Sequence, residues 1–311
     1  MQTVTKIINT IKGGQKFLSH RKFQQFLQKH NATYTDVPLY CEVRWLSAKR
    51  CLEKFFAIRK EIFLFLQENF AAKYEEFKSF FEDVNSLCEL ALITDMTNHL
   101  NILNLKLQKT NQVISQLVSH VDSFRRKLQL FKSQLESNIL HFFPSCQILF
   151  KEYGTDCNFK KYINIIDSLI NQFDRRFNDF KTLRNDLILF ENPLTVQIEK
   201  QSLDFQAELC DLQHDLSLKA RLEKEVEFFK ILDASCYPRL RNFGLRIFSM
   251  FGSTYLCKCS FSKMKNIKTE KCSSLSDALL SSLMRTSSSK LSVDIPSLVE
   301  SCKRPRRSNE N

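Results

Sequence analysis

The chain has 311 residues with only five Gly and six Pro, and this scarcity of turn residues argues against a β-sandwich, a β-barrel or a doubly wound sheet. Hydrophobic residues make up 43% of the chain and include 28 Phe, which excludes wholesale disorder and provides for a sizeable core. The formal net charge of +12 is concentrated at the two ends, because residues 1–60 carry twelve Lys and Arg against three Asp and Glu, and residues 256–311 carry eleven against five.

The first 70 residues contain helical segments and one candidate strand. Apolar residues recur at helical spacing in residues 4–11, 20–30 and 48–69, which predicts a helix in each segment. Residues 39–45 are the best strand candidate and contain the only Trp of the chain. The many cations of this region are either solvated on helix faces or placed to contact phosphate or an acidic surface.

The strongest local signal is a heptad pattern that begins at Ile93 and ends at Leu135. Thirteen positions follow alternating steps of three and four residues, and twelve of them are apolar. No Gly or Pro interrupts this segment before Pro144, so the spacing predicts one helix of about 45 residues that starts near Val84 and ends around His141. Its apolar stripe can be buried within the chain's own bundle or against a second chain.

A second long helix is predicted over residues 158–190, where apolar residues again form a stripe and Pro193 stops the helix. Antiparallel packing of the two long helices would bury both stripes. Shorter helices are predicted over residues 202–210, 217–232 and 238–250.

The C-terminal residues differ in composition from the rest of the chain. Residues 286–292 are rich in Ser and predict a loop, and residues 294–302 fit a short helix. They are followed by a compact basic tail that contains Lys303, Arg304, Arg306 and Arg307. Such a tail is typical of a nuclear import signal or a phosphate-contacting patch, although a basic terminus without a role has the same composition.

The sequence contains no catalytic signature of good specificity. The six His residues lack the spacing of a metal site on a helix face, and there is no GxSxG elbow, P-loop or dinucleotide fingerprint. The eleven Cys residues are scattered without a CxxC pair or zinc spacing, which indicates a reducing intracellular compartment with mostly buried thiols. We therefore expect no cofactor, no metal, no small-molecule substrate and no membrane association.

Two segments differ from ordinary helix sequence. One combines Glu42, Arg44 and Trp45, and the other is the run Phe251, Gly252, Ser253, Thr254 and Tyr255. Physical reasoning alone predicts a buried Trp anchor for the first segment and a capped helix start for the second. These segments and three others resemble the hAT-superfamily transposase-derived proteins, and in particular relatives described as zinc finger BED domain-containing, SCAN domain-containing or general transcription factor II-I repeat domain-containing. The five resembling stretches are residues 20–27, 42–47, 100–108, 191–193 and 248–255.

The resemblance implies a mainly α architecture. The family has an RNase H-like core interrupted by a large all-helical insertion, and a C-terminal helical segment closes the core and supports dimerisation. Mapped onto this chain, residues 1–70 are a remnant of the core with the Arg-Trp motif, 71–235 the helical insertion, 236–300 the dimerisation region and 301–311 the basic tail. The expected fold is therefore a long-helix insertion bundle plus the C-terminal helical segment of a truncated transposase core.

The resemblance also bears on catalysis. The family's activity is cut-and-paste DNA transposition, in which three carboxylates hold two divalent metals. Lys258 stands where the family has its last catalytic Glu, and a charged amine would repel Mg²⁺ rather than ligate it. The family's two Asp residues precede the Arg-Trp motif, in strands that this sequence is expected to lack. The DNA-reading zinc finger of the family is expected to be absent as well. The resemblance thus implies a protein without catalytic activity.

The leading hypothesis is a nuclear, or nuclear and cytoplasmic, protein that dimerises, binds protein partners and has DNA as a candidate partner. Three alternatives remain. The first is a non-specific nucleic-acid-binding protein, and the second is a degenerate transposon fragment without selected function. A third alternative, an active nuclease with carboxylates recruited from elsewhere in the chain, would require metal-dependent cleavage.

Overall fold

The protein is described by a computed structural model, which covers residues 1–13, 16–39, 45–109, 112–221, 223–250, 255–269, 274–289 and 297. The chain forms two units, Met1–Gly252 and Ser253–Asn311. Throughout the described ranges the regular secondary structure is helical, which confirms the mainly α prediction. None of the described helices is long and apolar enough to cross a membrane.

The first unit is built from helices. In chain order they are α1 (Gln2–Gly13), α2 (Lys16–Lys29), α3 (Trp45–Ala57), α4 (Arg59–Asn69), α5 (Ala71–Glu82), α6 (Val84–Leu107), α7 (Ile114–Glu136), α8 (Pro144–Tyr153), α9 (Ile163–Arg176), α10 (Phe180–Glu191), α11 (Leu203–His214), α12 (Leu216–Lys219), α13 (Glu225–Ile231) and α14 (Pro238–Ser249). Single 3₁₀ turns occupy Gly154–Asp156, Lys160–Tyr162 and Ile198–Lys200.

The N-terminal helices form a core rich in phenylalanine. Helices α1 and α2 confirm the predictions over residues 4–11 and 20–30; α1 extends beyond its prediction at both ends, whereas α2 begins earlier than predicted and ends at Lys29. Phe23 of α2 packs on Phe65 of α4 with ring centroids 5.0 Å apart, and Phe26 contacts Phe65 edge to face. Aromatic pairs of this kind add about 0.5–1.5 kcal/mol to the effect of burial alone.

The single helix predicted over residues 48–69 is wrong, because the chain bends at Ile58 between α3 and α4. Ile58 is fully buried, and the bend lets α3 pack against α6 while α4 packs against α5. The predicted strand over residues 39–45 lies mostly outside the described residues, and Trp45 at its end begins α3.

The predicted 45-residue helix is also wrong. The segment forms two helices, α6 and α7, which lie antiparallel: the His99 ring lies 4.4 Å from that of Phe131, while Lys106 near the end of α6 lies beside His120 in the first half of α7. The predicted start near Val84 is confirmed. Folding back buries the second half of the stripe inside the unit, where Leu117, Val121, Phe124, Leu128, Phe131 and Leu135 are all buried.

The helix predicted over residues 158–190 is likewise divided, into α9 and α10. Helix α9 lies antiparallel to α7, with Lys132 Nζ 2.7 Å from Asp167 Oδ1 and the rings of Phe124 and Phe173 5.2 Å apart. The chain turns after α9 because the apolar residues of α10 belong to a different core. Leu187, Leu189 and Phe190 are buried in that second core.

The second core lies among α10, α11, α13 and α14 and confirms the helices predicted over residues 202–210 and 238–250. Phe190 and Phe229 stack with centroids 5.3 Å apart. Gly244 is required beside them, since a Cβ there would lie 2.0 Å from Cγ of Phe229. The helix predicted over 217–232 is wrong as one element, because it divides into α12 and α13 and Glu225 at the start of α13 has a positive φ of 52°.

The second unit contains a pair of packed helices, α15 (Tyr255–Ile267) and α16 (Asp277–Ser288). The side chain of Ser276 caps α16 by accepting a hydrogen bond from the Leu279 amide at 3.3 Å. The loop predicted over residues 286–292 is wrong for its first three residues, which continue α16. Apart from Ser297, the short helix predicted over residues 294–302 lies outside the described residues.

Candidate functional site: the groove between α7 and α10

A groove of about 560 Å³ opens between α7 and α10, the helix that follows the turn at residues 177–179. This volume lies within the usual range of ligand pockets, about 300–1,000 Å³. The groove exists because the chain leaves the first core after α9, and α10, which belongs to the second core, packs beside α7. Its lining combines an apolar floor with a charged wall.

The floor is apolar. Val118 of α7 and Leu187 of α10 are buried beneath the groove, and Ile188 remains 46% exposed at its side. Val118 lies one residue beyond the heptad position Leu117, so α7 uses one face for the first core and the neighbouring face for the groove.

The wall is formed by arginines and one central carboxylate. Arg125 donates to Asp122 Oδ1 at 3.2 Å and also to Asp174 on α9, and Arg184 donates to Asp122 Oδ2 at 2.8 Å. The hydrogen bond to Asp174 is the main reason that the pKa of Arg125 is raised further above its ordinary value. Asp122 is therefore shared by two guanidinium groups, one from each wall of the groove.

Two groups in the lining keep unused hydrogen-bonding capacity. Arg126 is exposed and forms no ion pair or hydrogen bond with any residue that the structure describes. Ser115 is only 3% exposed, and its hydroxyl has no partner among the described residues. Because the Ser115 hydroxyl oxygen is itself buried, Arg126 is the one of these two groups that can form hydrogen bonds with a ligand in the groove.

The residues singled out in the sequence lie elsewhere. Lys258 lies within α15, Trp45 is the first residue of α3 and Tyr255 the first of α15, as judged from the backbone. Outside the described residues lie Glu42, Arg44, Phe251, Gly252, Ser253, Thr254, Lys303, Arg304, Arg306 and Arg307. Within the described ranges, no three His, Cys, Asp or Glu side chains are grouped to hold a metal ion.

Sequence reasoning missed the groove. The available signal was the Arg125–Arg126 pair directly beside the heptad stripe, three residues after Asp122. That signal could not identify the opposite wall, because Arg184 is 62 residues away from Asp122 along the chain.

Comparison with known proteins places the chain among proteins with a related helical region. Residues 1–136 match the family model described as the FAM200/GTF2IRD2 helical domain. Over 289 residues, 92% of this chain, it is 33% identical to general transcription factor II-I repeat domain-containing protein 2 of Bos taurus. The Mus musculus protein of the same name is 30% identical over 255 residues, 81% of this chain.

The chain spans less than a third of these relatives, namely 29% of the bovine protein and 26% of the mouse protein. No solved structure matches the chain. The chain is thus homologous to general transcription factor II-I repeat domain-containing protein 2 over most of its length, and its first 136 residues correspond to a FAM200/GTF2IRD2 helical domain.

Proposed function

We propose that this chain is a transposase-derived protein without catalytic activity, which acts in the nucleus as a module for dimerisation and protein interaction. The observation that carries the proposal is the homology over 92% of the chain to a protein named as a general transcription factor II-I repeat domain-containing protein. Lys258, at the position where the transposase family has a metal-binding Glu, supports the absence of strand cleavage.

The dimerisation part of the proposal concerns residues 236–300. In the second unit, α15 and α16 expose large apolar side chains: Phe261 is 65% exposed and Leu279 49% exposed within the chain. Apolar side chains left open on a helical pair are suited to burial against a second copy. The division of the chain at residue 70 remains a prediction, and the FAM200/GTF2IRD2 match runs across it.

Light scattering during size-exclusion chromatography at micromolar concentration tests dimerisation. The full chain should elute with twice the mass of one chain, and Leu279→Asp should shift it to one chain mass. Leu105→Asp on α6 is the matched control, because Leu105 is similarly exposed at 52% but lies in the first unit. A wild-type monomer, or equal dissociation by both substitutions, would contradict the proposal.

A second candidate function is non-specific nucleic-acid binding. The observation that favours it is the row of exposed cations on α2, which includes Arg21, Lys22 and Lys29. Cations that neutralise phosphates release counterions, so the logarithm of the affinity for duplex DNA should fall linearly with the logarithm of salt concentration. Affinity that does not change with salt would exclude this function.

A further inference from the structure

We propose that the groove between α7 and α10 binds a partner protein through a short peptide segment in which an apolar residue lies beside acidic residues. This inference deepens the proposed function by naming the partner's chemistry, and it depends on the chain being an interaction module. It does not depend on dimerisation, because the groove lies entirely within the first unit.

The apolar floor sets the first requirement. Val118 and Leu187 are buried below the groove, while Ile188 is half-exposed beside it. Covering Ile188 with an apolar side chain would remove hydrocarbon surface from water, at about 25 cal/mol for each Å² buried. A volume of about 560 Å³ has room for a few side chains of a peptide, whereas a folded domain would have to insert a segment.

The charged side chains of the groove set the second requirement for the ligand. Arg125 and Arg184 already share Asp122, so the carboxylate in the middle of the groove is neutralised from both walls. Arg184 nevertheless keeps 66% of its side chain exposed, and Arg126 is free of described partners. Guanidinium groups bind carboxylates through paired hydrogen bonds, so these two arginines favour an Asp or Glu of the ligand.

The remaining lining favours a peptide over a nucleic acid. Glu191 also lines the groove, and its carboxylate would oppose the continuous negative charge of a phosphate backbone. A peptide can place its acidic side chains against the arginines and a neutral residue beside Glu191.

The test measures binding of a short fluorescein-labelled peptide rich in Glu and Leu to the full chain by fluorescence anisotropy. A peptide with Lys in place of Glu and a short labelled DNA duplex serve as comparison probes. The groove variant is Arg126→Ala combined with Arg184→Ala, and Arg125 remains to pair with Asp122 in it. The matched control is Arg50→Ala combined with Arg246→Ala, two exposed arginines on α3 and α14.

The proposal predicts saturable binding of the Glu-Leu peptide that weakens about tenfold or more in the groove variant and less than about twofold in the control. Ser119→Trp, which fills the groove from an exposed position without changing charge, should weaken binding similarly. The proposal is overturned if the Glu-Leu peptide does not bind, or if the Lys peptide binds equally well. It is also overturned if the control variant loses as much peptide affinity as the groove variant, or if the groove variant loses affinity for the DNA duplex alone.

Light scattering on the same samples separates the two proposals. A monomer that still binds the peptide would refute dimerisation and leave the groove assignment intact. A dimer that binds no peptide would support dimerisation and overturn the groove assignment.

Discussion

Two aspartates cap helices in the same way but in different surroundings, and this difference predicts very different contributions to stability. Asp95 on α6 is 2% exposed and accepts hydrogen bonds from the backbone amides of Ser145 and Cys146, both at 3.1 Å, at the start of α8. Asp83 is exposed and accepts from the amides of Asn85 and Ser86 at the start of α6.

Replacing either aspartate by alanine leaves two backbone amides without their carboxylate partner, and Asp83→Ala also removes hydrogen bonds from the exposed side chains of Asn85 and Ser86. In Asp95→Ala the two amides lose their partner in a buried place, and each unsatisfied donor costs about 1–3 kcal/mol, so the free energy of unfolding should fall by roughly 2–6 kcal/mol. In Asp83→Ala water replaces the carboxylate, and the loss should be about 0.5–2 kcal/mol, as for ordinary N-caps. Asp83→Ala is therefore the matched control.

Urea unfolding followed by circular dichroism measures both losses. We expect the loss in Asp95→Ala to be at least twice that in Asp83→Ala. Equal losses, or a loss below about 1 kcal/mol in Asp95→Ala, would refute the argument that burial of the unsatisfied α8 amides determines the penalty.

The two aspartates should also respond to pH in opposite directions. Burial raises the pKa of Asp95 above its ordinary 3.8, so its contribution to stability is fully present below 3.8 and decreases as pH rises through the folded-state pKa. The hydrogen bond from Ser86 is the main cause that lowers the pKa of Asp83, so its contribution is present above 3.8 and is lost as pH falls. Unfolding of both variants at pH 7 and pH 4 should show the loss in Asp95→Ala increasing with acid and that in Asp83→Ala decreasing. A common direction would contradict this reasoning.

Two further predictions concern the cores. Gly244→Ala should lower the free energy of unfolding by about 1–3 kcal/mol in urea, because the new Cβ would overlap the Phe229 ring, and an unchanged midpoint would show that the ring has room to move. Burial raises the pKa of Cys51 to about 11 and that of Cys88 to about 12, so iodoacetamide near pH 8 should label exposed Cys210 in the native protein and leave these two unmodified in a mass spectrum. Equal labelling of Cys51 or Cys88 without unfolding would contradict the burial assigned to them.

Local patterns in the sequence predicted where helices form but not where they stop. The heptad from Ile93 to Leu135 correctly identified an apolar stripe, and Leu117 to Leu135 are buried along it. The sequence between α6 and α7 contains no Gly or Pro, so it gave no signal that the helix would end there. The chain folds back there because an isolated helix of that length would leave its stripe unburied.

Long-range contacts account for what sequence reasoning could not reach. Asp95 is one residue before the stripe position Met96 and has the sequence context of any polar helix residue, yet its partners are about 50 residues further on. The groove depends in the same way on α10 returning to α7. Contacts between residues 50 or more positions apart depend on how the helices of the two cores pack, and a local sequence pattern does not encode that packing.

We propose that this protein interacts with partners without cleaving nucleic acid, and a nuclease assay on the full chain measures whether it cleaves. The purified protein is incubated with end-labelled duplex DNA and Mg²⁺ or Mn²⁺, and the products are separated on a denaturing gel. We expect intact DNA at all times, with or without EDTA. Cleavage that EDTA abolishes, and that a single Asp or Glu substitution in the chain also abolishes, would contradict it.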